Sequence, residues 1–210
     1  MPDDAVRTAV PKALWVTVAV FVATVTQLLV ATLASGLPQF AGKGFGARLV
    51  AYPLLMLLVP ALWALVRRSR REPLTSAVPW SGFALVMAPF LIDVTGNTLN
   101  LYDTIAWWDD ANHLVNWFLL CCGIGVLLLR TAISPPWALG LVVVGSGSLL
   151  ALAWELGEWY TFIRHGTELA TAYEDTLGDQ ALGSVGAVLA GLLVVRLAHR
   201  RDAGRVVCHA

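Results

Sequence analysis

Read for apolar and polar positions, the chain is a series of long apolar runs separated by short polar breaks. A helix that crosses a membrane needs about 20 mostly apolar residues, because the hydrocarbon core is roughly 30 Å thick and each residue rises about 1.5 Å. Six segments meet this condition: about Leu14–Ala34, about Ala47–Val66, a third from near Val78 that turns polar after Leu91, then about Asp109–Leu129, Pro136–Tyr160 and Asp175–Ala198. The third and fifth read as the longest. The first is longer than the about 7–15 apolar residues of a secretory leader, and Asp3 and Asp4 stand before it beside Arg7. It reads as a helix that stays. The pattern predicts an all-α fold: a polytopic membrane helix bundle of about six transmembrane helices in one transmembrane domain. Residues 1–72 form a supporting helix pair with a basic loop, 73–198 a four-helix part, and 199–210 a basic tail.

Composition agrees with that picture. The 210 residues are 58% hydrophobic and 13% charged, with a mean hydropathy of +0.71. A soluble domain carries about 25% charged residues, so a soluble fold has no place for this much apolar surface. The formal net charge is zero, and nothing points to nucleic acid. Cys121, Cys122 and Cys208 make no disulfide framework and no metal-binding spacing. No organic cofactor motif is present.

The distribution of charge carries more than its sum. Cytoplasmic loops collect Lys and Arg. Placing the densest basic cluster (Arg67, Arg68, Arg70, Arg71) inside also puts Arg7, Lys12, Arg130, Arg196, Arg200, Arg201 and Arg205 inside, and leaves only Lys43, Arg48 and Arg164 outside. Both termini are then cytoplasmic. Asp93, Asp103, Asp109, Asp110, Glu155, Glu158, Glu168, Glu174, Asp175 and Asp179 all fall on the outer side, in the hairpins made by helices three and four and by five and six. The topology rule does not require this sorting, because acidic residues contribute little to orientation.

Spacing gives these acids content. Residues three or four apart share a helix face, which pairs Asp93 with Asn97, Asp109 or Asp110 with His113, Glu155 with Glu158, and Asp175 with Asp179. Extending the Asp179 face gives Gly183, Ala187 and Gly191, and extending the Glu155 face back gives Ala151 and Gly147. Small residues at this spacing let membrane helices approach closely, so the acidic faces coincide with packing faces. Carboxylates gathered in a partly dry pocket need proton sharing or a bound cation. One His among oxygen ligands suits Mg²⁺, Mn²⁺, Fe²⁺ or Zn²⁺, and facing helices in a bundle supply such sites, even for two metals. The expected ligands are Asp109, His113, Glu155, Glu158, Asp175, Asp179 and Asp93. Glu155, Glu158 and Asp110 are the acid/base candidates, and Asn97 is a binding residue.

A plainer account competes with this one. Acids at a helix start cap free N–H groups and complement the dipole, which covers Asp109, Asp110, Glu174 and Asp175. It serves Glu155 and Glu158 poorly, since they stand near a helix C-terminus. Trp80, Trp107, Trp108, Trp137, Trp154 and Trp159 read as interfacial anchors. His165, His199 and His209 carry no pattern.

The Asp109…His113 element, Glu155-Leu-Gly-Glu158-Trp159 and Asp175-Thr-Leu-Gly-Asp179 resemble the YjdF-like family of bacterial inner-membrane proteins, whose function is uncharacterised. The resemblance runs from about Asp93 onward and implies a multi-pass protein of the bacterial cell (plasma) membrane. It supplies no reaction. Three functions stay open: metal-dependent chemistry, such as hydrolysis, on a lipid, lipid-linked or small-molecule substrate in an outward-facing pocket; a cation- or proton-coupled transporter; and a non-enzymatic accessory protein. Oligomeric state is not legible.

Overall fold

The long apolar runs become helices. The computed structural model describes residues 11–74, 77–164 and 170–207, with all their side chains except those of 162 and 203–207. Readings that concern Asp3, Asp4, Arg7, His165, Glu168, Cys208, His209 and the side chain of Arg205 lie outside what is described. In chain order the elements are α1 (Lys12–Leu33), α2 (Phe45–Ser69), α3 (Trp80–Thr98), the single turn α4 (Leu101–Thr104), α5 (Trp108–Leu128), α6 (Pro136–Glu158) and α7 (Ala172–Val207). The described residues contain no strand.

Among the described residues five helices are long and apolar enough to cross a membrane: Lys12–Leu33, Phe45–Ser69, Trp108–Leu128, Pro136–Thr161 and Ala172–Asp202. The sixth expected segment, α3, falls outside this set by its composition. It has 19 residues, not the greatest length expected of it, and Asp93, Thr95, Asn97 and Thr98 dilute its C-terminal half. Its position explains the dilution. α3 packs between α1 and α5 and buries Phe83, Val86, Met87, Val94 and Asn97, so its polar end meets protein rather than lipid. Asn100 ends it in a left-handed conformation (φ 59°), which Asn tolerates better than most residues.

α5 packs on α3, α6 and α7, and α6 packs on α7. The small-residue stripes mesh here as spacing predicts. A methyl group added at Gly147 would stand 2.6 Å from Ala187 Cβ, and one at Gly183 would stand 3.2 Å from Ala151 Cβ. One added at Gly191 would meet the Gly140 carbonyl at 3.1 Å, and one at Gly186 would meet the Leu114 carbonyl of α5 at 2.5 Å. Lipid offers no hydrophobic drive between helices, so close van der Waals contact of this kind holds them together. Cys121, Leu139, Val143, Ala187, Ala190 and Val194 fill the joint as a buried apolar block. Both described cysteines are free thiols.

The bundle is polar at its two ends. At one, Arg67 pairs with Glu72 at 2.5 Å, Arg130 donates to the Ala77 carbonyl and Arg201 to the Leu129 carbonyl. The acidic residues singled out by spacing lie at the other.

Candidate functional site

The site forms where α5, α6 and α7 come together at the acidic end of the bundle. α5 carries Asp109 and His113 on one face, one turn apart. α6 carries Glu155 and Glu158, and α7 carries Asp175 and Asp179. His113 is at the centre. Its Nε2 lies 3.6 Å from Asp109 Oδ1 and 3.5 Å from Asp179 Oδ2, and its Nδ1 lies 3.7 Å from Glu155 Oε1. These separations exceed hydrogen-bond length, and buried Nδ1 has no hydrogen-bond partner. Two sets of potential ligand atoms, Asp109–His113–Asp179 and His113–Glu155–Glu158, each lie within 4.8 Å of one another.

The residues differ in how they meet the cavity. A cavity of about 370 Å³ is lined by Asp109, His113, Glu158, Asp175 and Asp179. Glu155 is not part of that lining. It is 3% exposed and stands behind the His113 ring. Asp175 is exposed at the rim. Asp110 is also exposed and outside the lining, so of the two neighbouring aspartates only Asp109 meets His113. One residue of rotation along α5 turns Asp110 away.

Asp93 is a correction. It reaches the same cavity, yet its carboxylate is already taken. Oδ2 accepts from Arg48 Nη1 at 2.5 Å and from the Tyr52 hydroxyl at 2.5 Å. Oδ1 accepts from the Tyr102 hydroxyl at 2.8 Å and from Asn97 Nδ2 at 3.2 Å. Four donors fill the lone-pair directions of a carboxylate, which leaves none for a metal. Asn97, expected as a binding residue, is buried and holds Asp93 in place. Burial and the Asp93 carboxylate hold the Tyr102 phenol well above its ordinary pKa, so it stays protonated and donates. Asn112 in turn donates to Tyr102, and Asn116 donates to Asn112 at 2.7 Å.

The first helix pair, read as support, also needs correction. Arg48 and Tyr52 of α2 and Lys43 of the preceding loop line the cavity. Lys43 Nζ lies 2.7 Å from Asp103 and 2.5 Å from Asn100 Oδ1. It is flanked by Gly42 and Gly44, both left-handed (φ 77° and 63°), a conformation glycine takes without strain. A signal for these residues was present in the sequence. Lys43 and Arg48 are two of the three cations that depart from the positive-inside pattern, and each is held by an acid that sequence grouped with the cluster. The third, Arg164, lies 3.7 Å over the Tyr160 ring.

Two more details change the local reading. α6 does not end at Glu158 but continues as a π-helical turn, Trp159–Ile163, closed by Arg164 N–H on the Trp159 carbonyl at 3.0 Å. Glu155 and Glu158 are therefore inside a continuous helical segment, not at its end. Among the tryptophans, Trp107, Trp137 and Trp159 are exposed as anchors would be. Trp108 instead packs on Tyr102, and Trp154 lines the cavity.

The family model described as "Predicted membrane protein (DUF2238)" matches residues 20–201. No curated protein and no solved structure matches the chain.

Proposed function

The chain belongs to the DUF2238 family of predicted membrane proteins, and from that premise we propose that its acidic pocket binds one divalent cation and uses it on a lipid or lipid-linked substrate. The observation that carries this is the arrangement around His113: two carboxylates on Nε2 and one on Nδ1, all at 3.5–3.7 Å. That spacing is too long for direct hydrogen bonds and leaves room for an ion between the groups.

The chemistry of imidazole favours one arrangement. A neutral ring has one lone pair and one N–H, so His113 ligates through one nitrogen and donates through the other. Asp109, His113 Nε2 and Asp179 face the cavity, and they are the ligands. Glu155 Oε1 stands 3.7 Å from Nδ1, and would accept from Nδ1–H and fix the tautomer once the two draw closer on ion binding, the usual role of a carboxylate behind a metal-bound His. Three protein ligands leave an open position, as in catalytic rather than structural sites. A bound ion of this kind supplies Lewis acidity and a water acidic near neutral pH. Glu158, on the cavity side, would be placed to accept a proton there, and Asp175 stands at the rim. Mg²⁺, Mn²⁺, Fe²⁺ and Zn²⁺ all suit this donor set.

The apolar block of Cys121, Leu139, Val143, Ala187, Ala190 and Val194 below the pocket supports a site with one mouth over a transport path. With the arginine-rich end in the cytoplasm, that mouth opens outward from the cell membrane. Elemental analysis of the purified protein after incubation with Mn²⁺ tests the reading. Wild type retains metal, while His113→Gln and Asp179→Asn retain little. Equal metal in all three would overturn it.

A further inference from the structure

The helices form an arc rather than a closed ring. α2 packs on α1 and α3, and α6 packs on α5 and α7. Yet α2 and α6 both line the cavity, α2 through Arg48 and Tyr52 and α6 through Trp154 and Glu158. Among the described residues α2 and α6 do not pack extensively on each other. Between them Tyr52 meets Trp154, the rings tilted 50° with centroids 6.5 Å apart. Both rings also line the cavity.

The lining is graded in depth. One turn toward the membrane interior from three of the polar groups stands an aromatic one: Phe90 below Asp93, Trp117 below His113, Trp154 below Glu158. The rim is ionic and the deeper lining mainly aromatic, with Asn116 beside Trp117 and Trp154 on the α2 side. At about 370 Å³ the space is near the low end of small-molecule sites, which run about 300–1,000 Å³. It accommodates a headgroup, while two lipid chains must remain outside.

The wall facing the His113 cluster carries two cations, each paired with an acid, and one of them has an unpartnered donor. Lys43 is engaged by Asn100 and Asp103. Arg48 uses Nη1 on Asp93 and Tyr52, but its buried Nε has no partner. A buried donor without an acceptor is rare in folded proteins, and a guanidinium matches phosphate oxygens well.

We infer that the molecule admitted to this site is a membrane lipid with a phosphate headgroup. The headgroup passes between α2 and α6, past Tyr52 and Trp154, and sits between Arg48 and the His113 cluster, while the chains stay in the bilayer. This rests on the cation reading above, because without a bound cation Asp109, Glu158, Asp175 and Asp179 repel a phosphate.

The test uses the full chain purified in detergent and loaded with Mn²⁺, with three probes: dioctanoyl phosphatidic acid, dioctanoylglycerol and inorganic phosphate. The phosphatidic acid binds at least about tenfold more tightly than either of the others, since each of them lacks one of the two recognised parts. The double variant Arg48→Gln/Asp93→Asn removes both charges of the pair together. It loses phosphatidic acid binding by about tenfold or more, as expected for a charged hydrogen bond, with Mn²⁺ uptake unchanged. A phosphatidic acid bearing a diazirine on its chain labels α2 and α6 near Tyr52 and Trp154.

Absence of Mn²⁺ uptake by wild type would overturn the cation reading and this inference together. With Mn²⁺ bound, three results would overturn the inference alone. Inorganic phosphate binding as tightly makes the ligand a free anion. Dioctanoylglycerol binding as tightly leaves only an apolar groove. Chain labelling confined to other helices removes the route between α2 and α6.

Discussion

His113 and Asp93 show how two groups in one cavity come to do different work. Asp93 is surrounded by donors, and His113 by acceptors it does not touch. Removing Asp93's charge leaves Arg48 unpaired in a largely buried position, and breaking such a pair costs on the order of 3 kcal/mol. Asp93→Asn should therefore lower the thermal unfolding midpoint in detergent, while Mn²⁺ uptake stays at the wild-type level. A loss of uptake together with unchanged stability would place Asp93 among the ligands instead. Glu155→Gln has a different signature. It keeps the ligands but weakens the acceptor behind His113, so Mn²⁺ affinity should fall by about 10–100-fold, the usual effect of removing a partner of this kind. A titration showing no change would remove Glu155 from that role.

The contact between α5, α6 and α7 is what brings Asp109, Glu155 and Asp179 to one depth. That contact depends on backbone approach at positions without a side chain. At Gly186 an added methyl group would stand 2.5 Å from the Leu114 carbonyl and 2.9 Å from the Phe118 nitrogen. These are backbone atoms and cannot rotate aside. Gly186→Leu should cost about 1–3 kcal/mol through overpacking and reduce Mn²⁺ uptake by separating α7 from α5. Gly178, one residue before Asp179, has nothing within 4 Å of such a methyl, so Gly178→Ala should leave thermal stability unchanged or slightly raised. Equal midpoints for the two variants would mean that α5 and α7 are not held by close approach. The π turn after Glu158 belongs to this scale as well, since π turns in helices recur at functional sites.

The whole molecule is sorted by charge along its length. Arg67, Arg68, Arg130 and Arg201 mark one end, and the Asp109–His113–Asp179 cluster marks the other. By the positive-inside rule the cluster is expected on the outer face. In a variant lacking the native cysteines, Leu99→Cys should react with a membrane-impermeant maleimide added to intact cells, and Ser69→Cys should not. The reverse pattern would turn the site toward the cytoplasm without altering its geometry. Leu99 is well suited because it is 62% exposed beside the cavity end.

Much of this was legible in the chain. Apolar run length determined the helices, because a bilayer demands a fixed length of apolar helix whatever surrounds it. Spacing of three and four determined that Asp109 shares a face with His113, and Asp175 with Asp179, and that the Gly183-Ala187-Gly191 stripe lies on the packing side. Those are properties of one helix at a time. Relations between helices were decided only in the folded bundle. Residue spacing does not say that Arg48 of α2 reaches Asp93 of α3, that Asp110 turns away while Asp109 turns in, or that Glu155 stands behind His113 while Glu158 lines the cavity. Each of these depends on the rotation and offset of one helix against another, which side-chain packing sets at distances no single helix encodes.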